Sequence, residues 1–137
     1  MSLNYGSTAT LSKVEVSNLQ GQMGGAIHVT QGSTLTAIDC DFIENESSVF
    51  GGIIFIENSE PATFSKLTMT GNLGGPGIKL NGGSMSIAIS YIGSSGYQAL
   101  QVNLGRVTLT QNTIRNAGNY NELGGGLYCD CFDSTFI

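Results

Sequence analysis

A short segment of this chain recurs five times, and its spacing limits the folds that the chain can adopt. Each copy begins with turn-forming residues, followed by an aliphatic residue and, two positions later, a second apolar residue. The first aliphatic residues are separated by 27, 24, 22 and 27 positions. A repeat of this length is typical of a solenoid, in which each coil buries its apolar face only against its neighbours. The five marker residues are Ile27, Ile54, Ile78, Leu100 and Leu127.

A second segment in each repeat alternates apolar residues with Ser or Thr. The stretches 9–18 and 62–72 are closely similar, and Leu11 and Phe64 are 53 positions apart. Alternation with a period of two is typical of a strand that buries one face. We therefore align one inward-facing residue per repeat as a column. Its members are Leu11, Leu35, Phe64, Met85 and Val107.

Each repeat thus predicts a short strand, a turn, a longer strand and a loop rich in Asn and Gly. Copies that run in the same direction pair in parallel, which stacks like residues about 4.8 Å apart. No stretch has a sustained period of 3.6, so no α-helix is predicted. The chain is predicted to be all-β: a parallel solenoid of about five coils with 22–27 residues each, in which residues 1–137 form one domain. Both ends fall within a coil, so we expect a segment of a larger solenoid that associates end to end when it is isolated.

Two motifs in one coil carry a resemblance to known proteins. Gly24-Gly25-Ala26-Ile27 is followed in the same coil by Phe42-Ile43-Glu44-Asn45. This pair resembles the GGA[I/L/V] and FxxN marks of polymorphic outer-membrane proteins and related surface adhesins. The whole chain is similar to the right-handed parallel β-helix of the pectin-lyase-like type. The resemblance implies the fold and a secreted or cell-surface location, but a shared fold does not transfer a function.

Composition excludes several partners. The net charge is −5, with only five Lys and Arg residues that form no run, so nucleic acid is not an expected partner. No apolar stretch reaches the length of a membrane-spanning helix. The three cysteines Cys40, Cys129 and Cys131 are interpreted as small buried hydrophobic residues. A metal site at Cys129 and Cys131 would need further ligands, and the only histidine, His28, lies in a different coil.

Glycan cleavage sets the enzymatic hypothesis, because it is the commonest chemistry of the resembled fold. Hydrolysis needs at least two converging carboxylates. Asp39 and Asp41 are two positions apart and share one side if that stretch is extended, and Glu44 follows. These acids form no column across coils, so no catalytic residue is assigned. Asp39, Asp41 and Glu44 remain candidate ligands for weak Ca²⁺ binding, and no other cofactor is expected.

The outward positions of the longer strands form a more unusual pattern. They predict a column of hydroxyls, two residues wide, on one face of the solenoid. We expect a non-catalytic structural or adhesive segment that binds a glycan or a protein through such flat faces. The alternative is a fragment of a polysaccharide lyase or glycoside hydrolase. A minor alternative is ice binding, which is considered because flat Thr-x-Thr arrays resemble ice-binding faces. The candidate binding residues are Thr10, Ser12, Thr34, Thr36, Thr63, Ser65, Ser84, Ser86 and Thr108.

Overall fold

A computed structural model describes residues 1–48, 51–93, 97–115, 126–129 and 135–136. These residues contain strands and connecting turns and no helix. The strands are β1 (Ser2–Leu3), β2 (Thr8–Ser12), β3 (Glu15–Ser17), β4 (Gln20–Gly21), β5 (Ile27–Thr30), β6 (Thr34–Ile43), β7 (Glu46–Ser47), β8 (Ile54–Glu57), β9 (Ala62–Thr70), β10 (Ile78–Ala88), β11 (Tyr91–Gly93), β12 (Leu100–Thr110), β13 (Thr113–Arg115), β14 (Leu127–Cys129) and β15 (Thr135–Phe136).

The strands stack as a parallel β-solenoid of about four turns. Thirteen strands form one sheet, and β4 and β7 form a second sheet of two strands. The number of turns is about one below the predicted five. The predicted marker column is confirmed: its five residues follow one another in direct register through β5, β8, β10, β12 and β14.

The predicted column on the longer strands is wrong in its register. Ala9 pairs with Leu35, and Leu11 pairs with Ala37. Ala37 continues to Phe64, so the expected column joins members of two neighbouring columns. A shift of two residues preserves which side chains face inward, so alternation alone does not reveal it. The inward direction itself is confirmed.

The core consists of apolar columns that run along the solenoid axis. In the inner coils these side chains are fully enclosed, and Phe42, Phe64 and Leu67 are each at most 1% exposed. The motif that begins at Phe42 has a structural meaning, because Phe42 fills the core and Asn45, three positions later, is also buried. Asn45 and Asn72 are hydrogen-bonded to backbone groups of neighbouring coils, whereas Asn18 in the first coil is exposed.

Corners are built by residues in the left-handed region. One corner stacks Asp39 and Lys66, with φ of 57° and 55°, and Ile89 follows with φ of 51°. A branched residue such as isoleucine rarely adopts this conformation, because its Cβ approaches the backbone. In two coils the turn predicted between the short and the longer strand is instead an irregularity inside a continuous strand, at residues 81–83 of β10 and 104–105 of β12. Glycines at these places have positive φ, so the backbone bends without ending the strand.

Candidate functional site

The outward face of the longer strands carries an unbroken row of hydroxyls. Each member pairs directly with the next one along β2, β6, β9, β10 and β12. All five side chains are exposed or half-buried. We call this row the hydroxyl ladder, and it consists of Thr10, Thr36, Thr63, Ser86 and Thr108. The parallel register therefore aligns hydroxyls from five successive coils, with the spacing of about 4.8 Å that neighbouring strands have.

The two columns beside the hydroxyl ladder are mixed. On one side Thr8 pairs with Thr34, and Ser84 pairs with Arg106. On the other side Ser12 and Ser65 both pair with the exposed Ile38. The predicted two-wide hydroxyl array is therefore regular only in the first two coils. Further along the solenoid only the hydroxyl ladder itself is continuous.

A shallow depression of about 160 Å³ lies on this face. Its rim includes the hydroxyls of Ser84, Ser86 and Thr108, and its other walls include Pro61 and Arg106. Arg106 is exposed, so its guanidinium is available to a hydrogen-bond acceptor. The depression shows that the face is not uniformly flat and that hydroxyls from two coils converge on one place.

The predicted calcium ligands lie on one stretch of chain but do not form a cluster. Asp39 occupies a left-handed corner with φ of 57°, so the extended geometry assumed for Asp39 and Asp41 is interrupted there. Glu44 lies at the next corner, with φ of 52°. Among the described residues, no group of three or more His, Cys, Asp or Glu side chains is placed to hold a metal ion. Weak calcium binding by these three acids stays a prediction.

A second polar group lies on the outward side of the shorter strands. His28 and Phe55 pair in register, and their rings are parallel with centroids 5.1 Å apart. Lys79 follows in the next coil, and its Nζ is 5.5 Å from the centroid of the Phe55 ring. Phe55 is only 3% exposed, although it points away from the core. The aromatic ring therefore lies between two basic side chains, which belong to the coils on either side of it.

Glu57 is the acidic neighbour of this group. Its Oε2 is 3.8 Å from His28 Nε2, which is buried and has no hydrogen-bond partner in the described structure. Burial lowers the pKa of Lys79, and the nearby Glu57 carboxylate opposes that shift. His28 as a whole is half-buried, but its Nε2 atom is enclosed. The marker alignment contained the signal for this group, because His28, Phe55 and Lys79 each follow a marker residue directly.

The cysteines differ from one another. Cys40 is free and fully buried, which confirms its interpretation as a small core residue. Cys129 is half-buried and packs against the core, as its inward position in the marker repeat predicts, and it is disulfide-bonded. Cys131 lies outside the described residues.

Comparison with known proteins gives no further assignment. No protein-family model, no curated protein and no solved structure matches this chain. In the parts of the chain that the structure describes, no helix has the length and apolar character needed to cross a membrane.

Proposed function

We propose that this β-solenoid is a non-catalytic binding segment of a secreted or cell-surface protein, and that its hydroxyl ladder contacts a glycan. The observation that carries the proposal is the direct register of five hydroxyls in successive coils. A hydroxyl both donates and accepts hydrogen bonds, so a row of them is compatible with the hydroxyls of a sugar chain. The long, shallow face suits an extended polymer better than an enclosed small molecule.

The disulfide at Cys129 supports the extracellular part of the proposal. Such bonds persist mainly in oxidising environments, including the cell surface and the secretory route. The resemblance to pectin-lyase-like and surface-adhesin repeats is consistent with the same location. Among the described residues, the acids Asp39, Asp41 and Glu44 are not placed to hold a metal ion together, so a binding role has more support than cation-dependent cleavage.

The test compares binding to an array of plant, fungal and bacterial polysaccharides, followed by calorimetry on the best ligand. In one variant, Thr36→Ala and Thr63→Ala remove two neighbouring hydroxyls of the ladder. A matched control carries Thr68→Ala and Thr113→Ala, which remove hydroxyls from a different column of the solenoid. We expect the ladder variant to weaken binding by about thirtyfold, because two hydrogen bonds of about 1 kcal/mol each are lost, and the control to bind like the unmodified chain.

Equal binding by both variants would contradict a role for the hydroxyl ladder. Release of reducing ends or of unsaturated sugars from the bound polysaccharide would favour the lyase or hydrolase alternative. The Thr-x-Thr geometry of the first two coils keeps ice binding as a candidate, and a thermal-hysteresis measurement on the same two variants tests it.

A further inference from the structure

The corner that follows β3 and β6 contains a polar groove that the hydroxyl ladder does not include. One open cavity of about 370 Å³ is lined by side chains from three coils, among them Asn18, Gln20, Glu44 and Leu73. A second open cavity of about 380 Å³ adjoins it and shares Gln20 and Glu46 with it. We call the two cavities together the corner groove. Its remaining polar lining comes from Gln22, Asn45, Ser47 and Ser48.

Several polar groups in the corner groove are free to meet a ligand. The structure gives the side chains of Asn18 and Glu44 no hydrogen bond or ion pair among the described residues. Gln20 Nε2 donates to Glu46 Oε2 at 2.8 Å, which leaves one N–H of that amide and one oxygen of that carboxylate available. The groove therefore presents donors and acceptors side by side.

The base of the corner groove is fixed from below. Asn45 Oδ1 accepts a hydrogen bond from the backbone N–H of Leu19, and Asn45 Nδ2 donates to the carbonyl of Val16. Asn45 and Asn72 are fully buried and hydrogen-bonded to each other, so this support does not depend on solvent. A groove whose backbone is already held in place loses little conformational entropy when a ligand binds.

The lining also excludes classes of ligand. The described part of the lining contains the carboxylates of Glu44 and Glu46 and no Lys or Arg, so anionic sugars such as uronates are repelled. Leu73 is 51% exposed and offers an apolar surface beside the polar groups. Adjacent hydroxyls of a neutral sugar can hydrogen-bond to the amides and carboxylates of the groove. The apolar C–H face of the sugar ring can pack against the side chain of Leu73.

We propose that the corner groove is a second binding site, specific for a neutral oligosaccharide. The proposal rests on the proposed function only in taking a glycan as the ligand; the residues and the surface are different. The corner groove adds selectivity by charge, because its carboxylates repel acidic oligosaccharides and accept neutral ones. The hydroxyl ladder carries no charge and does not supply this selectivity.

The first measurement is an NMR titration of the full chain that follows the side-chain amide signals. The probes are neutral hexasaccharides of glucose and of mannose, and an oligogalacturonate of equal length. We expect the signals of Asn18 and Gln20 to move with a neutral hexasaccharide and to stay in place with the oligogalacturonate. The overturning results are the absence of movement with every neutral probe, equal movement with the acidic one, or movement with Ca²⁺ alone at lower concentration.

Two variants separate a binding role from a structural one. Gln20→Leu removes an exposed amide from the groove and should weaken neutral-sugar binding about threefold to tenfold, since one hydrogen bond contributes about 0.5–1.5 kcal/mol. Gln111→Leu removes an exposed amide from a distant corner and serves as the matched control. Glu44→Gln keeps the hydrogen-bonding shape and removes the charge, so it should retain neutral-sugar binding and admit the oligogalacturonate.

The outcomes distinguish this site from the hydroxyl ladder. If the Gln20 variant loses affinity while the double variant of Thr36 and Thr63 does not, the corner groove stands and the ladder proposal fails. If the double variant of Thr36 and Thr63 loses affinity while the Gln20 variant does not, the proposal of a second site in the corner groove fails. Equal loss with Gln20→Leu and Gln111→Leu would show a general effect of amide removal and would also overturn it.

Discussion

The buried asparagine pair offers the sharpest test of how the coils are held together. Asn72 is fully buried, its Oδ1 accepts a hydrogen bond from the backbone N–H of Asn45 at 2.9 Å, and its Nδ2 donates to the carbonyl of Phe42 at 2.9 Å. The substitution Asn72→Ala therefore leaves one buried donor and one buried acceptor without a partner. Each unsatisfied group costs about 1–3 kcal/mol, so the free energy of unfolding should fall by about 2–6 kcal/mol.

The assay is urea unfolding followed by circular dichroism. The midpoint should fall while the slope with urea concentration stays the same, because the surface exposed on unfolding hardly changes. Asn18→Gly is the control: it removes an exposed asparagine from the neighbouring corner, keeps the left-handed φ of 57°, and should cost at most about 1 kcal/mol. A loss below about 1 kcal/mol for Asn72→Ala would refute the reasoning, because the two buried groups would then be satisfied in another way.

Five further substitutions test other parts of the structure. Ile54→Asp should abolish cooperative unfolding, because Ile54 is completely buried, whereas Thr36→Asp on the outward face should leave a folded chain with the same circular dichroism spectrum. Ile89→Asn should raise the melting temperature by relieving the left-handed strain of an exposed isoleucine, a gain of about 1 kcal/mol, and a lower melting temperature would contradict the assigned corner. Gly51→Ala should lower the stability measured in urea, because the added Cβ would lie 2.5 Å from the carbonyl oxygen of residue 22. Burial lowers the pKa of Lys79 in the folded chain below its usual value of 10.5. Between these two pKa values the unfolded chain keeps a proton that the folded chain has lost, so the free energy of unfolding should rise with pH in this range. Lys79→Gln should remove this rise from a plot of stability against pH.

The fold was largely predictable because its information is local and repeated. The spacing of Ile27, Ile54 and Ile78 predicted the coil length, and the same residues pair directly in the structure. Alternation of apolar residues with Ser and Thr predicted which side chains face the core. A small error in aligning one repeat does not change these predictions, because the same pattern is present in every coil.

The exact register was not predictable in the same way. Leu11 and Leu35 look equivalent in sequence, yet Leu11 stacks on Ala37. Backbone hydrogen bonds between coils and the left-handed corners determine that pairing, and a shift of two residues leaves the hydrophobic pattern unchanged. The alternation therefore predicts that the candidate hydroxyls face outward. The continuous hydroxyl ladder among them depends on the register, which only the structure shows.

By itself, the sequence determined that the chain is a parallel solenoid with Ser- and Thr-rich outer strands, because period and composition act on every coil in turn. The tertiary structure decided which distant residues meet. It placed Phe55 between His28 and Lys79, and it assembled the corner groove from Asn18, Glu44 and Leu73 of three coils. Those residues are more than twenty positions apart, and only the stacking of coils brings them together.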